Sequence, residues 1–90
     1  MSYVINGKKF DYSTSEELYS GGDGQSLFRE HGRLTVYRSP KGTVWATHQW
    51  WRSQVTEVVE TAAGEADVRR LCASLHNVRA LESFAAIEQG

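Results

Sequence analysis

Ninety residues with 40% hydrophobic, 11% aromatic and 23% charged content describe one globular domain, expected as a monomer or small homo-oligomer, and exclude a disordered chain. A single cysteine, Cys72, excludes an internal disulfide; with no secretory leader and no apolar run near the roughly 20 residues that cross a bilayer, a cytoplasmic protein without membrane association is expected. The net charge of −1 is unevenly spread: residues 1–28 carry −2, residues 53–90 carry −3, and residues 29–52 carry +4.

In chain order, Tyr3 to Ile5, then Asn6-Gly7, then Lys8 to Phe10 reads as a short hairpin, because Asn-Gly tolerates the positive φ of a two-residue turn. Ser13 precedes Glu16 by three positions and Thr14 precedes Glu17 by three, the spacing of a capping box. The capping pattern predicts a short helix over 14–19, ended by the glycine-rich stretch from Ser20 to Gly24, read as a loop.

Arg33 to Arg38 and Thr43 to Trp50 are β-prone runs flanking Ser39-Pro40-Lys41-Gly42, where Pro40 and Gly42 suit a type I turn. Pairing Arg38 with Thr43 sets Val36 opposite Trp45 and Leu34 opposite Thr47; a bulge would exchange these assignments. Gln54 to Thr61 interleaves β-branched residues with acids and reads as a third strand of the main sheet. From Glu65 the apolar spacing of Val68, Leu71, Cys72 and Leu75 is helical. Beyond it, Val78, Leu81, Phe84 and Ile87 recur every third residue, and His76-Asn77 supplies a break, so two helices, 65–76 and 78–88, are expected. The fold class is therefore α+β: a small antiparallel sheet packed against C-terminal helices.

No catalytic, cofactor or metal site follows from the residues. The glycine-rich stretch lacks the Lys and Ser/Thr that a phosphate cradle needs. His31, His48 and His76 lie on different elements, and nothing in the sequence brings them together. Cys72 and His76 lie four apart, half of a metal site at most, without a second cysteine to complete a zinc set; the apolar neighbours Leu71 and Leu75 mark Cys72 as an inert core thiol. Glu16 and Glu17 are adjacent and cannot face each other as an acid-base pair.

The remaining feature is the basic, aromatic central segment, whose candidate partner-binding residues are Arg33, Tyr37, Arg38, Lys41, Trp50, Trp51 and Arg52. Guanidinium groups and aromatic faces serve protein hot spots and single-stranded nucleic acid alike. Trp50 and Trp51 point to opposite faces of a strand, so one is expected to enter the core together with Trp45.

Ile5 to Asp11, Ser15 to Leu18, Leu34 to Gly42 and the acidic helix start near Glu65 resemble a group of small bacterial and phage-borne proteins. Their pattern reads NGKxYDT early, LYRTxKGxxF in the middle, and a strand leading into an acid-started helix. The likeness spans roughly residues 4–75; Thr43 to Trp45 put the aromatic out of phase with it, and the second C-terminal helix has no counterpart. The resemblance implies an accessory role on mobile elements, with a protein partner such as a subunit of a host defence complex, inhibited in the manner of anti-CRISPR proteins. The alternative, from the residues, is a nucleic-acid-binding regulator that uses the central hairpin as a basic ribbon.

Overall fold

The computed structural model describes residues 2–24, 32–52 and 56–85, with side chains for all of these except 51–52 and 56–58. β1 (Ser2–Ile5) and β2 (Lys8–Asp11) form the expected hairpin. Its Asn6 and Gly7 both adopt positive φ, at 52° and 76°, which matches the right-handed twist of the two strands.

The helix predicted over 14–19 is a strand. Asp11 turns the chain instead, accepting from the Ser13 amide at 2.9 Å and the Ser13 hydroxyl at 2.7 Å, while Ser15 Oγ donates to the Asp11 carbonyl at 2.8 Å. The hydroxyls that would have capped a helix are thus spent on the turn, and the Ser13 hydrogen bonds hold the Asp11 carboxyl below its usual pKa. The next residues form β3 (Glu16–Gly22), including Ser20 to Gly22 of the expected loop. A helix of one to two turns has little stability of its own, whereas pairing along β4 satisfies the backbone of both segments.

β4 (Gly32–Arg38), β5 (Val44–Arg52) and β6 (Thr56–Ala63) complete an antiparallel sheet in the order β3-β4-β5-β6. The expected central hairpin and third strand are present, but the hairpin register is offset by one. Val36 faces Ala46, Tyr37 faces Trp45 and Leu34 faces His48. The turn explains the offset: the Gly42 amide donates to the Ser39 carbonyl at 2.8 Å, closing the anticipated type I turn, and Gly42 then takes φ 88°. A type I turn followed by a left-handed glycine is the three-residue loop with a G1 bulge, and the extra residue exchanges the inward and outward sets.

α1 (Glu65–Ser74) buries Val68, Leu71 and Cys72 as its spacing predicts. It ends two residues short of the expected 76, at the expected His76-Asn77 break. His76 adopts φ 54°, its amide donates to the Ala73 carbonyl at 3.0 Å, and the Asn77 amide donates to the Cys72 carbonyl at 2.9 Å, the paired exit bonds of a Schellman motif with histidine in the usual glycine position. Asn77 then caps α2 (Val78–Glu82), accepting from the Ala80 amide at 3.0 Å. This helix is shorter than the expected 78–88; residues 86–90 lie outside the described residues.

The sheet is covered on both faces. Leu34, Val36, Val44 and Ala46 pack against Val68, Leu71, Cys72 and Ala80 on the helix side. On the other side Trp45 packs against Ile5 and Phe10 of the N-terminal hairpin, with Tyr3, Tyr37 and Ala63 around it. Strand alternation separates Trp45 from its neighbours Val44 and Ala46 in this way.

Candidate functional site: a lysine-lined cleft and a buried histidine

Trp45 is fully buried and makes one body of the hairpin and the sheet. Its ring stacks on Tyr37 with centroids 4.3 Å apart and an interplanar angle of 20°, and meets Phe10 at 5.5 Å and Tyr3 at 6.1 Å. Its indole Nε1 donates to Ser15 Oγ at 3.1 Å, so the polar edge of a buried indole is satisfied. Burial, followed by the charge of Glu17, pushes the Tyr37 phenol above its ordinary pKa.

That aromatic hub brings the tip of β2 against the β4–β5 turn. Between them lies a cleft of about 470 Å³, lined by Lys8, Lys9 and Phe10 from one side and by Ser39, Pro40, Lys41 and Thr43 from the other. Strand alternation places Lys8 on the hairpin face that carries the buried Phe10 and Lys9 on the opposite face, beside the exposed Val4. Among the described residues none of the three lysines joins an ion pair within 4.0 Å. Lys9 does act at longer range on Asp11, lowering its pKa further. Lysines drawn from two segments thus share one cleft of moderate size, with hydroxyls and a proline between them.

The seven residues singled out in the sequence do not form one patch. Tyr37, Arg38 and Lys41 lie toward the turn end of the β4–β5 hairpin, where Arg38 reaches Glu16 at 3.8 Å. Arg33 lies at the opposite end of β4, on the face away from the helices, donating to Ser20 Oγ at 2.6 Å. Trp50 lies far along β5 on the helix face and is half-buried. Trp51 and Arg52 belong to β5, but their side chains lie outside the described residues. Lys8 and Lys9 escaped notice because they sit in a segment of net negative charge; their Asn-Gly hairpin was the signal that could have placed them at a turn.

A second polar cluster lies on the helix face. His48 Nε2 is 3.0 Å from Asp23 Oδ2, both side chains being largely buried, and His48 Nδ1 is 3.7 Å from Glu60 Oε2. The Trp50 ring stacks on the imidazole at 4.5 Å. Asn77 fastens the same corner, donating from Nδ2 to Tyr19 Oη at 3.3 Å, to the Gly22 carbonyl at 3.1 Å and to the Asp23 carbonyl at 3.0 Å. The cross-strand pairing of His48 with Glu60 would have been legible with the register in hand; the arrival of Asp23 would not. His31 lies outside the described residues.

Chemistry elsewhere is sparse. Cys72 is buried and its thiol is pushed up to about 11 by burial. His76, outside α1 and exposed, does not share a helix face with it. Among the described residues no cluster of three or more His, Cys, Asp or Glu side chains could hold a metal ion, and no helix is long and apolar enough to cross a membrane. No family model matches the chain, and neither a curated protein nor a solved structure matches it.

Proposed function

We propose that this chain is a non-catalytic binding protein that docks on a protein partner through the turn end of the β4–β5 hairpin and the adjoining N-terminal hairpin. The observation that carries the reading is the packing of two separate segments on Trp45, which holds Lys8, Lys9 and Lys41 around one cleft without an ion pair to any of them among the described residues. The packing on Trp45 braces the backbone beneath these cations, so the ordering cost of binding falls on the lysine side chains themselves. The non-catalytic part of the reading is supported by the buried state of His48 and its engagement with Asp23, which suit a structural tie better than proton transfer to a substrate.

A protein partner is favoured over nucleic acid by charge. The chain carries 11 acids against 10 bases, with a pI near 6.3, far from the basic balance of a domain that follows a phosphate backbone. Tyr3, Phe10, Tyr37 and Trp45 also pack on one another in the core, leaving Tyr37 half-buried and these four rings unavailable as a stacking platform of the kind that grips single strands. Following the mobile-element setting implied by the sequence resemblance, a subunit of a host defence complex is the partner to test first, with the chain as its inhibitor.

The test is affinity capture from bacteria carrying active defence systems, with and without nuclease, using the wild-type chain and K8E/K9E/K41E in parallel. A defence subunit that survives nuclease and is lost with the variant supports the proposal. Recovery of nucleic acid alone, released by salt, replaces it with the nucleic-acid-binding regulator.

A further inference from the structure

We infer that the cleft between β2 and the β4–β5 turn takes an acidic peptide segment, an extended run of carboxylate side chains on the partner. The inference rests on the reading of this end of the molecule as the docking surface and specifies its ligand chemistry.

The argument begins with the cation type. All three charged residues lining the cleft are lysines, compact and strongly hydrated point charges with three rotatable donors, not the planar forks that grip a single phosphate or carboxylate in two-point fashion. Such groups suit several separate carboxylates better than one buried anion. Their placement agrees: Lys8 leaves β2 on the face that carries Phe10, Lys9 on the opposite face at the rim, and Lys41 comes from the facing turn, so the charges are spread out and are not converged on one point. Ser39 and Thr43 add hydroxyls on the turn side. The Ser39 hydroxyl already accepts from the Thr43 amide at 3.1 Å, and its own proton remains available to a carboxylate.

Size and surroundings favour an extended segment. About 470 Å³ accommodates a few side chains and is too small for a folded element. Pro40, which is exposed, supplies apolar surface for the methylene groups of Glu and Asp.

The test uses the full chain, labelled for amide chemical-shift mapping and titrated with a short Glu/Asp-rich peptide, its Gln/Asn counterpart, and a single-stranded oligonucleotide of matching length. The acidic peptide is expected to shift the amides of Lys8 to Phe10 and of Ser39 and Lys41 to Thr43, to weaken with salt, and to lose about tenfold or more in affinity in K8Q/K41Q. The neutral peptide is expected not to bind, and R33Q, at the other end of β4, to bind as wild type. K8Q/K41Q is checked by circular dichroism, its two sites being exposed. Equal affinity of K8Q/K41Q for the acidic peptide, shifts centred elsewhere, or tighter binding of the oligonucleotide would overturn the inference. If the acidic peptide fails while a defence subunit is still captured and lost with K8E/K9E/K41E, the docking surface stands and the peptide assignment falls. If capture also fails, both fall.

Discussion

Asp23 and His48 stand 25 positions apart in sequence, yet Asp23 Oδ2 and His48 Nε2 meet at 3.0 Å in the interior. The contact joins the segment after β3 to the middle of β5, and the Trp50 ring stacks on the imidazole. Removing one partner leaves the other buried without its hydrogen bond. In urea unfolding, His48→Ala is expected to cost about 1–3 kcal/mol from the orphaned carboxylate alone, and the Asp23→Ala/His48→Ala pair is expected to cost less than the sum of the singles by at least about 0.5 kcal/mol. Additive losses would mean that the two groups do not depend on each other.

Asn77 combines a cap and a tertiary clasp, and two variants separate them. Asn77→Ala loses both and is expected to lower stability by about 1–3 kcal/mol. Asn77→Asp keeps an acceptor for the Ala80 amide but turns a carboxylate toward Tyr19 Oη and the Gly22 and Asp23 carbonyls. The aspartate variant is therefore expected to be at least as unstable as the alanine variant. A clearly milder effect in thermal unfolding would make the cap the dominant contribution.

Trp45 is the joint between the hairpin and the sheet. Trp45→Ala is expected to cost about 3–5 kcal/mol and to raise amide exchange in β1 and β2 above that in β4. Trp45→Phe keeps an aromatic in the stack but leaves Ser15 Oγ without the indole donor, so a smaller loss with the hairpin still protected is expected. Equal protection of hairpin and sheet in Trp45→Ala would show that other contacts hold the hairpin.

The Cys72 thiol, pushed up to about 11 from an ordinary 9.0, favours the protonated form in the fold. The unfolded chain releases the proton first, so stability is fully present below pH about 9 and falls as pH rises toward about 11. Tyr37, whose phenol is also raised, adds a decline in the same direction above its ordinary pKa of 10.0. Cys72→Ala should make the alkaline fall shallower without abolishing it. At neutral pH the native thiol should resist a disulfide reagent until denaturant is added; rapid labelling of the native protein would contradict its burial.

Short-range chemistry accounts for what was legible in the sequence. Asn6-Gly7 marked a hairpin, Pro40 and Gly42 marked a type I turn, the spacing of Val68, Leu71 and Cys72 marked a helix face, and His76-Asn77 marked a break. Each depends on the backbone preferences of a few adjacent residues. The α+β class followed from their order along the chain.

Long-range pairing decided the rest. Ser13 to Glu17 carry a helix signal, yet Glu16 to Gly22 pair with β4 because an edge strand satisfies more backbone than a short helix can. The bulge at Gly42 moved every β5 residue of the central hairpin to the other face relative to β4, placing Trp45 with the N-terminal hairpin and His48 toward the helices. Lys8 and Lys9 came to border the same cleft as Lys41 through that same packing, and Asp23 came to His48 through the end of an unanticipated strand. None of these meetings is written in local spacing, since each depends on which distant segments bury their apolar faces together.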